Sequence, residues 1–247
     1  MIPVKRMRVF AGPNGSGKTT IINNLRSEIP FGVYVNADDI ESLLKESGVL
    51  LFNSYQLLIS QEEIRLFFQA STFSPVKRNE PDLHTKLFVN DNVLHCHTTI
   101  DSYVAADLAE FIRQQLVKKG LSFTYETVLS HPDKLNFLQQ VKNQGYRVYL
   151  YFVATEDPDI NVSRVQLRVA QHGHNVAPNV IKERYFKSLR QLRKAVEFSN
   201  RAYIWDNSGS VCVLIAEITE GEHVSVIDTE RVSQWFVQYL SNEQSHD

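Results

Sequence analysis

The sequence predicts an α/β fold in which a parallel sheet is covered by helices. Three observations carry this. Short apolar runs rich in β-branched and aromatic residues alternate with segments of helical period. The first of these runs leads straight into Gly-Pro-Asn-Gly-Ser-Gly-Lys-Thr at residues 12–19. The composition, 43% apolar and 22% charged over 247 residues, is that of a globular chain able to bury a sizeable core.

The elements follow in order. A first strand is read at 8–12 and a first helix at 18–27. A second strand at 33–36 runs into Asn36-Ala37-Asp38-Asp39-Ile40, with helical character over 40–45. Residues 49–98 are long for a connection between two strands and read as an insertion. Within it, 55–70 is helix-like, with Leu58, Ile64, Phe67 and Phe68 available for one face. A polar loop bounded by proline spans 74–85, and 86–96 is apolar on either side of Asn90-Asp91-Asn92, the pattern of a hairpin. A helix at 102–119, a strand at 122–128, a helix at 133–144 and a strand at 147–154 restore the alternation. Helices over 161–171 and 180–200 precede a strand at 202–206. Segments 211–218 and 223–227 flank Thr219-Glu220-Gly221-Glu222 as an antiparallel hairpin, and 230–240 is a last helix. The whole reads as one domain, 1–247, carrying an insertion at about 49–98.

Net charge is −2, so no global field draws the chain to nucleic acid or to an anionic membrane. Two cysteines, Cys96 and Cys212, make no disulfide framework, which points to a reducing compartment. The first twelve residues lack the apolar stretch of a signal peptide, and no run approaches a bilayer span. A soluble cytoplasmic protein is expected.

Residues 12–19 form a complete G-x-x-x-x-G-K-[ST] pattern between a strand and a helix. Glycines let backbone N–H groups close around phosphates, and the helix N-terminus adds a favourable dipole. Gly12, Pro13, Asn14, Gly15, Ser16, Gly17, Lys18, Thr19 and Thr20 are the expected nucleotide-binding residues. Lys18 is expected on the β- and γ-phosphates and the Thr19 hydroxyl on Mg²⁺, with ATP or GTP as the nucleotide.

Phosphoryl transfer further needs a positioned acceptor and positive charge on the migrating group. Such groups belong at the carboxyl ends of neighbouring strands. Asp38 is the candidate general base and Asn36 a candidate for holding a ligand hydroxyl, helix N-capping being the alternative for Asp38 or Asp39. Glu126 is an acidic residue ending an apolar strand, suited to acceptor binding or a water-mediated Mg²⁺ contact, a structural salt bridge being the alternative. Arg164 and Arg168 share a helical face, and His172-Gly173-His174 and Arg184 follow. A basic, glycine-hinged helical pair is what a closing lid over phosphates requires, the alternative being a solvated basic face. His95 with His97, and His172 with His174, are not joined by a second cluster at zinc-site spacing.

In sequence order, GPNGSGKTT, VNADDI, FTYETVLS, RVAQHGHNVAPNVIKERYFKSL and WDNSG resemble the zeta-toxin-like P-loop kinases, including the group labelled predicted ABC-type ATPases. The resemblance covers most of the chain outside 49–98. It implies a three-layer αβα P-loop NTPase sandwich of kinase type and ATP or GTP as donor. It implies an aspartate base at Asp38, a glutamate contacting the acceptor at Glu126, and phosphate-directed arginines at Arg168 and Arg184, with Arg164 as the neighbour that can replace Arg168. Zeta toxins phosphorylate a UDP-sugar and are paired with an antitoxin protein, so a UDP-sugar acceptor and an antitoxin partner come with the resemblance. The chain departs from the family where Glu126 is followed by Thr-Val-Leu-Ser-His131 without an arginine.

Rival classes lack their marks. There is no LSGGQ-like signature of an ABC module and no Asn-Lys dipeptide of a GTPase base-reading element. A nucleic-acid end kinase would want a basic track that the charge balance does not supply. A nucleotide-binding regulator without turnover shares the same loop.

Overall fold

A computed structural model of the chain describes residues 4–170, 176–228 and 232–241. In chain order the elements are β1 (Arg6–Ala11), α1 (Lys18–Leu25), β2 (Val33–Val35), α2 (Ala37–Ser47), β3 (Val49–Leu51), α3 (Gln61–Ala70) and α4 (Ser74–Lys77). Then come β4 (Leu87–Asn90), β5 (Val93–Cys96), α5 (Ser102–Lys119), β6 (Phe123–Thr127), α6 (Asp133–Asn143), β7 (Arg147–Ala154) and α7 (Pro158–Ala170). The chain ends with α8 (Pro178–Glu197), β8 (Arg201–Asp206), β9 (Val213–Thr219), β10 (His223–Val226) and α9 (Gln234–Phe236), the last running into a π-helical turn at Val237–Ser241. The architecture is the mainly parallel α/β fold that the sequence predicts. It divides into two compact units, Met1–Pro30 with Glu126–Asp247, and Phe31–Tyr125.

In the first unit β7 lies between β1 and β8 and is parallel to both, Phe10 standing in register with Tyr151 and Tyr151 with Tyr203. Successive residues Leu150–Ala154 are all buried, as are Met7, Val9, Phe10 and Ala11. Successive residues of a strand point to opposite faces, so an unbroken buried run means both faces are covered. The rings of Phe10, Tyr151 and Tyr203 stack in a row with centroids 4.5 and 5.0 Å apart. Phe152, on the other face, meets Trp235. The predicted hairpin is present as β9 and β10, antiparallel, with β10 exposed along its length. Of the predicted helix at 230–240, residues 232–233 are non-helical and 234–236 are α-helical, while 230 and 231 lie outside the described residues.

In the second unit β2 pairs in parallel with the first three residues of β6. Helix α2 is capped at one end by Asn36, carries Asp38 and Asp39 in its first turn and Lys45 in its last, all favourable to the helix dipole. Residues 49–98 form a three-stranded antiparallel sheet, β3-β5-β4, with α3. The hairpin read at 86–96 is β4 and β5. Asp91 and Asn92 both take positive φ, 49° and 63°, as a two-residue turn between twisted strands demands. The Asn92 side chain donates to Asn53 Oδ1 at 2.6 Å and to the Leu57 carbonyl at 2.8 Å, and accepts from the Ile59 N–H at 2.8 Å.

Those bonds explain a correction. The helix expected over 55–70 begins only at Gln61. Residues Phe52–Tyr55 make a 3-10 turn, Gln56 is left-handed, and Asn92 ties down the non-helical backbone at Leu57 and Ile59. Ser60 and Glu63 then start α3 with a capping box, and Leu58, expected on its apolar face, is exposed. On α5 the buried carboxylate of Asp107 accepts from Ser71 Oγ at 2.7 Å, Ser74 Oγ at 2.6 Å and the Ser74 N–H at 3.0 Å, fixing the α3–α4 connection.

Candidate functional site

Strand β1 delivers the chain into the loop at 12–17, and Gly17 opens α1 with φ 99° and no side-chain cap. The first N–H groups of a helix have no partner within it, and no acidic side chain stands in this first turn to occupy them. Gly15 and Gly17 are glycines for two reasons. Each takes positive φ, and a Cβ on Gly15 would strike the Asn161 backbone, while one on Gly17 would strike the Asn207 side chain. Lys18 folds back along the loop, donating from Nζ to the carbonyls of Gly12 at 3.0 Å and Pro13 at 3.1 Å. Thr19 is exposed on the first turn of α1. Among the described residues, the buried Ser16 Oγ and Asn14 Oδ1 have no hydrogen-bond partner. Such atoms suit a polar ligand, and a helix N-terminus without a side-chain cap suits an anionic one.

The loop is braced from behind by residues that sequence reasoning missed. Asn161, fully buried on α7, donates from Nδ2 to the Asn14 carbonyl at 2.6 Å. Its Oδ1 accepts from Thr155 Oγ1, and the Thr155 carbonyl accepts from Tyr185 Oη at 2.6 Å. Burial, then the nearby Glu156 carboxylate, push the Tyr185 phenol above its ordinary pKa, so it stays a donor. Asn207, just past β8, donates from Nδ2 to the Ser16 carbonyl at 2.8 Å. Asn207 stands within the WDNSG segment, whereas Asn161 carries no signal beyond its place after a strand.

Three arginines were expected on α7 and α8. Arg164 is committed to structure: its guanidinium donates to the carbonyls of Asn207 at 2.7 Å and Gly209 at 3.3 Å. Arg168 is exposed one turn further on, and Arg184 is half-buried on α8 beside Tyr185. The two helices are joined by Lys182–Asp159 at 2.5 Å. The histidine pair at 172 and 174 and the intervening glycine lie outside the described residues. Glu126 is half-buried near the end of β6. The turn after it is fixed by Leu129, which takes an unusual φ of 56°, accepts from Gln191 Nε2 at 2.9 Å and donates its N–H to Thr127 Oγ1 at 3.1 Å.

Directly after β2, Asn36 is the N-cap of α2. Its Oδ1 accepts from the Asp38 N–H at 2.9 Å, and its Nδ2 donates to Tyr34 Oη at 3.3 Å. Neither aspartate is therefore the cap. Asp38 is exposed in the first helical turn, while Asp39 lies near enough to Tyr55 to help burial raise that phenol to about 12.

At the end of β8, Asp206 accepts from Ser233 Oγ at 2.5 Å, Trp235 Nε1 at 2.7 Å and the Ser208 N–H at 2.8 Å. Burial alone would raise its pKa; these bonds, Ser233 foremost, override it and hold the carboxyl below its ordinary value.

Comparison with known proteins matches residues 97–219 to the zeta toxin family. An uncharacterised protein of Haemophilus influenzae (strain ATCC 51907 / DSM 11121 / KW20 / Rd) is 29% identical over 69 residues, which are 28% of this chain and 49% of that protein. The match thus spans about half the length of this curated relative. Among solved structures, the AvrRxo1-ORF1:AvrRxo1-ORF2 complex with sulphate ions aligns with a TM-score of 0.55 at 13% identity, covering 99% of this chain and 66% of that one. The PezAT chromosomal toxin-antitoxin system of Streptococcus pneumoniae aligns with a TM-score of 0.51 at 18% identity, covering 98% and 81%. At these identities the structural likeness speaks to fold. A phosphate-loop pattern between strand and helix, a mainly parallel α/β fold and the family match over 97–219 coincide on one chain, which is in these respects similar to the zeta-toxin-like P-loop kinases.

Proposed function

We propose that this chain is a phosphotransferase that moves the γ-phosphoryl group of ATP or GTP to a hydroxyl of a small-molecule acceptor, with a UDP-sugar as the first class to test. The observation that carries the reading is the loop at 12–19. It is glycine-strained, braced at two carbonyls, and headed by a lysine at a helix N-terminus that has no side-chain cap. In this reading Gly12 to Thr20 cradle the phosphates, and Lys18 leaves its two carbonyls to follow the γ-phosphate. Thr19 would hold Mg²⁺ through its hydroxyl, and the ion supplies charge that neutralises the phosphate oxygens. Asp38, relieved of capping by Asn36, takes the acceptor's proton; Glu126 and Asn36 Nδ2 hold acceptor hydroxyls; Arg168 and Arg184 lay planar charge on the migrating group. Since one similar solved structure is a toxin-antitoxin system, an antitoxin-type protein is the macromolecular partner we assign.

The test is incubation with Mg²⁺ and ATP or GTP against a panel of UDP-sugars and a metabolite extract, read by mass spectrometry. A gain of ~80 mass units on an acceptor with wild type, lost with Asp38→Asn, is expected. Release of free phosphate with no phosphorylated acceptor would make the chain a hydrolase or regulator instead.

A further inference from the structure

The braces on the phosphate loop meet alternate peptide units, and this has a stereochemical meaning. In a trans peptide the carbonyl of one residue and the N–H of the next point in opposite directions. No peptide bond among the described residues is cis. Asn161 Nδ2 holds the Asn14 carbonyl at 2.6 Å, so the Gly15 N–H is turned away from α7. Asn207 Nδ2 holds the Ser16 carbonyl at 2.8 Å, so the Gly17 N–H is turned away from the β8 end. Glycine peptides flip easily because both signs of φ are open to them. An unbraced loop would present either its N–H or its C=O groups to an anion.

We infer that Asn161 and Asn207 are positioning residues that preset the Gly15 and Gly17 N–H groups for a phosphate chain, and that Arg164 acts through Asn207. The inference rests on the phosphate-binding reading of the loop and goes beyond it by naming what orients its donors. The supports are themselves fixed. Asn161 has its amide orientation set by the Asn14 carbonyl, which can only accept and so takes Nδ2, leaving Oδ1 for Thr155 Oγ1. Arg164 pins the carbonyls of Asn207 and Gly209, so the asparagine cannot swing away. Asn161 and Arg164 lie three residues apart on one face of α7. Helix α7 thereby reaches the loop twice, once directly and once through 207. Arg164 is a clamp on the loop's support, distinct from the phosphate-directed role expected of Arg168.

The experiment uses the full chain and inorganic tripolyphosphate with Mg²⁺, followed by backbone amide NMR and by calorimetry, with thermal unfolding as a control. In wild type the Gly15 and Gly17 amides should shift downfield on titration. Asn161→Ala should lose the Gly15 response and keep that of Gly17; Asn207→Ala should do the reverse, and Arg164→Ala should follow Asn207→Ala more weakly. Each asparagine variant should bind about tenfold more weakly, the scale of one lost hydrogen bond. Variants that keep both amide responses and wild-type affinity overturn the inference, as does a uniform loss of both responses in every variant, which is what general loosening produces. Should Asn161→Ala not fold, the Asn207→Ala and Arg164→Ala pair decides by the same Gly17 criterion. A wild type that binds tripolyphosphate with the crosswise pattern yet phosphorylates no acceptor leaves the inference standing and removes the phosphotransferase reading.

Discussion

Lys18 Nζ donates to the carbonyl oxygen of Gly12 at 3.0 Å, inside the loop the lysine is expected to serve. The ammonium is held by the loop itself, with Pro13 as second acceptor. A phosphate must compete with two neutral carbonyls for it, a contest that an anion wins because charge-assisted bonds are about twice as strong.

Lys18→Ala should therefore remove phosphotransfer by at least ~100-fold while leaving the fold intact, since the lost bonds are partly exposed and local. The check is an activity assay on a variant whose unfolding temperature stays within a few degrees of wild type. Activity within a few-fold of wild type in that folded variant would take Lys18 out of the machinery.

Asp38→Asn should keep nucleotide affinity and lose ~10²–10⁴-fold in transfer, the range for a general base. It should hardly change stability, because the cap of α2 is Asn36. Asn36→Ala, in contrast, should cost ~1 kcal/mol of stability by leaving the Asp38 N–H unpaired. Calorimetry with ATP separates the two: an affinity loss in Asp38→Asn as large as its rate loss would move Asp38 into the nucleotide site.

Arg168→Ala and Arg184→Ala should each lower kcat strongly, by ~10³-fold for an arginine that stabilises the transferring charge, with lysine a poor substitute. Normal turnover in both would show that this basic face is only solvated.

Asp206→Asn should change how stability depends on pH. The folded pKa lies below the ordinary 3.8, so the ionised carboxylate contributes stability that is fully present above that value and is lost as pH falls through the folded pKa. Unfolding temperatures of wild type and variant should differ most near neutrality and converge below about pH 4. Trp235 fluorescence reports the same event, its indole being bonded to that carboxylate. A gap that stays constant down to pH 2 would mean the bonds count equally for the neutral acid.

Much of this molecule was readable from the chain because the signals are local. The 12–19 pattern, the alternation of strands and helices and the Asn90-Asp91-Asn92 turn each depend on residues adjacent in sequence. The helix starts later than the pattern over 55–70 implies because the backbone at 57–59 is held by the side chain of Asn92, more than thirty residues away. Asn161 and Thr155 escaped notice for the same reason. Their partners, Asn14 and Tyr185, come to them only when the sheet forms, and a lone asparagine on a helix has no pattern. The committed state of Arg164 was hidden likewise, since periodicity places Arg164 and Arg168 on one face but not which carbonyls wait there.

Asp206 and Asn207 are consecutive, and they face opposite obligations. The first ties down Ser233 and Trp235; the second ties down the loop at Ser16. The tail of the chain is thus wired to its head through a single peptide bond. A backbone cut anywhere between β10 and Ser233 would leave the motif itself untouched, yet it would release the anchor one residue from the brace. Proteolytic nicking there should be felt as weakened anion capture at the opposite end of the sequence, and sequence editing of the tail inherits the same constraint.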